Sequence, residues 1–244
     1  MALVFSLLFW GFLLVTSVVL FPLALLIRFF TSVNDRRLVI LHLFSCFWAS
    51  LYTWCNPLWN VRIEGRKNIP RKAPSVMVAN HQSLVDILVL FRLMVHFKWV
   101  SKSENFRIPF IGWNMSLNRY IRIDRGSLRG NIGMMRAATE ALTQGSSVMI
   151  FPEGTRSPDG TVHPFKAGAF ELALKTRCPI LPIVIEGTAA ALPKRGFILR
   201  GRQNIVVRVL TPVPIDRFAP DGAAAFAAAV QENIAGELTL MRGR

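Results

Sequence analysis

SVMVANHQSLVD, residues 75–86, decides the fold. Its first five residues form a short, almost wholly apolar run, the pattern of a strand covered on both faces. Asn80 and His81 interrupt the run, and residues 83–95 (SLVDILVLFRLMV) continue as a helix. A buried strand that passes through a short polar turn into a helix is the repeating unit of an α/β layer structure.

The same alternation extends outward. Residues 98–100, 120–123, 147–151, 180–185 and 205–210 read as strands. Residues 127–144 and 167–176, and the chain from Asp221 onward, read as helices, the last with Phe226, Val230, Ile234 and Leu238 at a spacing of four. Ligand chemistry in such sheets collects where strands end. Two strand ends here carry unusual residues: Asn80-His81 with Asp86, and Phe151-Pro152-Glu153-Gly154-Thr155-Arg156-Ser157.

The chain has 244 residues and a formal net charge of +15, with 52% hydrophobic residues. That content excludes a disordered chain. Grease and charge are segregated. Residues 1–61 hold only Arg28, Asp35, Arg36 and Arg37 as charged groups, whereas residues 62–244 hold 26 basic and 13 acidic side chains. Residues 2–27 are uncharged, and as a helix they reach about 39 Å, more than the ~30 Å of a hydrocarbon core. A signal peptide is the competing reading, but it needs a basic start and a shorter apolar run. Residues 38–61 form a second uncharged run whose helical part ends near Cys55. The two predict a hydrophobic two-helix hairpin at 1–61, with Pro22 as a kink, ahead of a basic domain at 62–244. The alternative is two helices packed on that domain. Arg62, Arg66, Lys67, Arg71 and Lys72 follow at once, the charge expected on the cytoplasmic side and beside anionic lipids. Three cysteines without a C-x-x-C spacing give no disulfide framework.

At the first strand end, a carboxylate five residues after His81 can reach back to one imidazole nitrogen. It then fixes the tautomer and leaves the other nitrogen to take a proton. The plain alternative is a histidine at a helix start beside a capping carboxylate. Ser83 offers a nucleophile as a third reading, though no G-x-S-x-G spacing accompanies it. At the second strand end, Gly154 permits close ligand approach, and Arg156 presents a fork matched to phosphate. Glu153 is suited to a substrate hydroxyl or to orienting Arg156. An internal Glu–Arg pair would equally stabilise a turn. Lys102, Arg122, Arg125 and Lys166 add cations nearby.

Together these residues resemble the glycerolipid acyltransferase family typified by bacterial lysophosphatidate acyltransferases. NHQSLVD matches the first block of that family, the stretch from Lys102 through Pro109 and Gly112 to IRIDR the second, FPEGTRS the third and residues 180–188 (ILPIVIEGT) the fourth. The resemblance implies a mixed, mostly parallel sheet flanked by helices, preceded by a two-helix membrane anchor. It implies that His81 is the general base with Asp86 as partner. Glu153, Gly154, Thr155 and Arg156 would hold the acceptor's glycerophosphate, with Lys102 and Arg125 in the same phosphate region. Pro182 would lie near the acyl donor or acyl chain. The implied reaction moves an acyl chain from acyl-CoA or acyl carrier protein to the sn-2 hydroxyl of 1-acyl-glycerol-3-phosphate (lysophosphatidic acid), giving phosphatidic acid. No cofactor or metal is implied, and the four histidines show no ligand spacing. Another lysolipid acceptor, such as a lyso-ornithine lipid or a lysophospholipid, fits the same chemistry. The implied location is the cytoplasmic membrane, catalytic domain on the cytoplasmic face and against anionic lipids. A serine lipase built on Ser83 and a basic nucleic-acid module are the readings from other classes, and the second lacks any nucleic-acid motif.

Overall fold

A computed structural model describes the whole chain except Arg125, Arg195, Arg217, residues 219–221 and Arg244. In chain order it forms α1 (Ala2–Thr31), α2 (Val39–Trp54), β1 (Trp59–Glu64), β2 (Val76–Ala79), α3 (Val85–Phe91), β3 (Phe97–Lys102), α4 (Ile111–Leu117) and β4 (Ile121–Ile123). There follow α5 (Leu128–Thr143), β5 (Ser147–Ile150), α6 (Gly168–Thr176), β6 (Ile180–Glu186), α7 (Thr188–Ala191), β7 (Gln203–Val209) and α8 (Gly222–Arg242). The strands make one sheet in the order β1-β7-β6-β2-β5-β3-β4. All neighbours are parallel except β6 and β7. The architecture is the expected mixed, mostly parallel α/β layer.

Every residue of β2 is buried, as the apolar run requires. One face of the sheet packs under α1, α2 and α3, around Trp48, Tyr52, Val89, Leu90, Phe97 and Trp99. The other packs under α5, α6 and α8, around Val78, Ala138, Phe170, Phe226 and Ile234. Because β2, β3, β4, β5 and β6 run parallel, their carboxyl ends open at one edge of the sheet, where both sequence-predicted strand ends meet.

Two boundaries differ from the sequence reading. The helix expected over 83–95 is only Val85–Phe91. Its end is fixed by Arg66, whose guanidinium donates to the carbonyls of Leu93 and Arg92 at 2.8 and 2.6 Å, and by Met94 with φ +52°. β1 crosses the boundary expected at residue 61. It was hidden in the tail of an uncharged run because its pairing partner, β7, lies far along the chain.

The N-terminal segment is an outer and an inner helix. α1 is a single helix through Pro22, long and apolar enough to cross a membrane. Ser6, Phe9, Ser17 and Ala24 form its one buried stripe at helical spacing, while Leu7, Leu14, Val18 and Leu25 are exposed. α2 is sandwiched and largely buried. Asp35 in the link accepts from the backbone of Val39 and Ile40 at 2.9 and 2.7 Å, capping α2. His42 reaches Tyr120 Oη at 2.8 Å, and Lys98 Nζ donates to Arg37 O at 2.8 Å and to Asn118 O at 2.7 Å. The link and α2 are thereby fastened to the sheet.

Gly187 ends β6 with φ +88°, and a Cβ there would lie 2.2 Å from Asn204 O. Gly187→Ala combines a left-handed penalty with a backbone clash, together about 3 kcal/mol. Thermal unfolding is expected to shift down by about 10 °C. An unchanged midpoint would contradict this packing.

Candidate active site

The turn after β2 is built by Asp86, whose side chain has no solvent exposure. Its Oδ2 accepts from the backbone N–H of Gln82 at 2.6 Å and Ser83 at 2.9 Å, and from His81 Nδ1 at 2.8 Å. Its Oδ1 accepts from the Thr188 hydroxyl. A carboxylate buried with four donors is acceptable in an apolar interior where an unpaired one is not. Since an ionised carboxylate only accepts, His81 carries its proton on Nδ1 and leaves Nε2 as the basic nitrogen.

The imidazole stacks on Phe151, with ring centres 3.9 Å apart and planes within 10°. Asn80 completes the turn. Its side chain donates to Ile185 O at 2.9 Å and accepts from Ile185 N at 2.8 Å, extending the β2–β6 contact beyond its last backbone pair.

The two motifs are joined through backbone. Glu153 accepts from the N–H of His81 at 2.7 Å and of His163 at 3.1 Å. Ser157 N–H donates to His81 O at 2.7 Å. Glu153 is 5% exposed. Burial pushes its carboxyl up to about 7, against the pull of those two N–H donors. Its partners are thus the loops that carry His81 and His163, and it braces the site. The loop of residues 157–163 is held from the far side by Arg242, which donates to Gly160 O at 2.9 Å and Glu186 at 3.0 Å.

A cavity of about 830 Å³ lies across the carboxyl edge of the sheet, with His81 in its wall. Thr155, Arg156, Gly154, Lys102, Lys166 and Lys194 line its polar part. Gly154 has φ +74°, a conformation that favours glycine, and a Cβ there would lie 3.0 Å from Lys166 Nζ, so the ammonium packs closely over this turn. Phe9, Leu13, Trp48, Tyr52 and Trp59 line its apolar part under α1 and α2.

Of the sequence-predicted residues, His81, Asp86, Glu153, Gly154, Thr155, Arg156 and Lys102 meet at this edge. Pro182 does not line the cavity. It is buried within β6 opposite Val78. Arg125 lies outside the described residues. Ser83 is fully buried, donates to Leu192 O at 2.6 Å and faces away from the cavity, which removes it as a nucleophile. Two contributors were missed: Phe151, the ring under His81, and Thr188, the fourth donor to Asp86. Only their positions at strand ends could have signalled them.

A family model described as Acyltransferase matches residues 60–186. A 1-acyl-sn-glycerol-3-phosphate acyltransferase of Chlamydomonas reinhardtii is 36% identical over 242 residues, covering 95% of this chain and 70% of the relative. A chloroplastic protein of the same name from Arabidopsis thaliana is 38% identical over 169 residues, 68% of this chain and 47% of the relative. The chain thus spans about half the length of that relative. The crystal structure of the 1-acyl-sn-glycerophosphate acyltransferase PlsC from Thermotoga maritima matches with a TM-score of 0.80 at 25% identity. It covers 100% of this chain and 99% of that one. A motif-bearing sheet edge, the family match over it and likeness across the full length lead to one conclusion: the chain belongs to the acyltransferase family.

Proposed function

We propose that this protein acylates the sn-2 hydroxyl of 1-acyl-glycerol-3-phosphate, forming phosphatidic acid at a membrane. The observation that carries the reading is the placement of His81. It stands in the wall of a cavity that offers cations at one part and a long apolar lining at another. An acceptor with a phosphate and a fatty tail needs both.

The acceptor's phosphate sits against Arg156, with Lys102 and Lys166 beside it, and Gly154 and Thr155 shape the floor. Its hydroxyl gives its proton to His81 Nε2 as the oxygen attacks the carbonyl carbon of an acyl thioester on coenzyme A or acyl carrier protein. Asp86 stabilises the imidazolium. Lys102 or backbone N–H groups offset the charge on the tetrahedral oxyanion. The C–S bond then breaks, and the thiolate leaves with the proton from His81. Apolar tails lie under α1 and α2. The outward face of α1 holds the enzyme in the bilayer, with the basic domain on the cytoplasmic side.

His81→Ala is expected to lower kcat by about 10³-fold while the fold is retained by circular dichroism. Near-full activity would overturn the mechanism. Arg156→Ala is expected to raise the KM for the phosphorylated acceptor about tenfold or more, with a smaller change for the thioester. Acyl transfer to a panel of lysolipids tests the acceptor: preference for one without the glycerol phosphate would replace lysophosphatidic acid.

Glu153 supplies a pH test. A carboxyl raised to about 7 in the fold holds more protons than the unfolded chain, whose value is about 4.5. Its contribution to stability therefore falls as pH rises between those values and stays low above 7. Glu153→Gln removes that slope but loses one acceptor for a backbone N–H. The variant is expected to be less active throughout. Its melting temperature should gain on that of the parent from pH 5 to pH 8. A gap independent of pH would rule out the buried, raised carboxyl.

A further inference from the structure

We propose that residues 193, 194 and 196–202, in the segment joining α7 to β7, form a wedge that seats on an anionic phospholipid bilayer beside the cavity. The proposal rests on the membrane reading above and assigns part of it to a segment outside the apolar helices. The segment exposes two large apolar side chains, Phe197 at 72% and Ile198 at 50%. The next residue, Leu199, is buried and fixes the backbone, and Arg200 N–H donates to Ala191 O at 3.0 Å.

The wedge is fastened to α1 and not to the sheet alone. Trp10 Nε1 donates to Phe197 O at 2.7 Å, and Leu199 N–H donates to Ser6 Oγ at 2.9 Å. The Phe197 ring meets Trp10 edge-on at 6.0 Å. Phe197 and Ile198 therefore accompany the turns of α1 that expose Leu3 and Leu7. A second apolar lip sits further along the same helix. There Phe110 and Trp113 pack on Phe21 at 5.9 and 5.5 Å, and Ile108, Ile111 and Trp113 are exposed. Ile108 and Ile111 line the cavity, as does Lys194 of the wedge.

Charge selects the occupant. Residues 187–215 contain no Asp or Glu, yet Lys194, Arg200 and Arg202 lie in the wedge. Apolar side chains flanked by cations match the boundary between acyl chains and anionic headgroups, where each cation near the surface adds to binding. A second copy would bring like charges together. An acidic protein would satisfy the arginines and still have to cover Phe197 and Ile198.

Flotation of the full-length protein with phosphatidylcholine vesicles, with and without phosphatidylglycerol, tests this with two double variants. Arg200→Gln with Arg202→Gln is expected to lose the gain from phosphatidylglycerol, on the order of tenfold. Phe197→Ser with Ile198→Ser is expected to weaken binding to both vesicles, since the Trp10 bond goes to a backbone carbonyl and survives. Both should turn over a water-soluble short-chain lysophosphatidate at the parent rate and lose rate on a long-chain acceptor carried in vesicles. Parent protein that floats with neither vesicle overturns the membrane reading and this proposal with it. If the parent floats, and both variants match it in flotation and in turnover of the vesicle-borne acceptor, the proposal alone falls. A defect confined to acyl carrier protein as donor, or a change in oligomeric state with unchanged flotation, also overturns it.

Discussion

One buried carboxylate organises the site. Asp86 gathers two backbone donors from the turn before it, the hydroxyl of Thr188 after β6, and His81 Nδ1. Its charge is tolerated only because all four are present. The turn at residues 80–84 therefore has to close tightly over the start of α3, and β6 has to lie beside β2 for Thr188 to arrive. The orientation of the His81 ring is thus a consequence of sheet order. Glu153 acts differently: it accepts from two backbone N–H groups on separate loops and so joins the two motifs.

Much of this was legible in the sequence for a physical reason. Strands buried on both faces, β2 and β6, read as apolar runs, and the apolar stretches of β3, β4, β5 and β7 placed those strands within a few residues as well. β1 was not, because Trp59–Glu64 begins inside an uncharged run that reads as membrane helix. The chemistry-bearing residues were legible as types at strand ends, while their pairings were not. Glu153 was open to pairing with Arg156, and its actual partners are main-chain groups that leave no mark in a sequence. Pro182 illustrates the converse. It sits inside a recognisable block, yet its place in the central sheet keeps it out of the cavity wall.

The segregation of grease and charge takes on geometry in the fold. The apolar segment is asymmetric: α2 belongs to the core, and α1 turns one stripe inward and the remainder outward. Cations collect both inside the cavity, at Lys102, Arg156, Lys166 and Lys194, and outside it, at Arg200 and Arg202. Apolar and basic surfaces thus adjoin on both sides of the cavity wall.

The edge strand has a consequence in time. β1 pairs only with β7, so that Asn60 meets Asn204, 144 positions later. Synthesis makes α1, α2 and β1 early, but β1 has no hydrogen-bonding neighbour until β7 has been made. Closing so long a loop is slow, although each doubling of its length adds only about 0.6 kcal/mol. During that interval β1 presents a row of unpaired backbone groups, so the chain carries an open pairing site until the residues from Gln203 onward have been made.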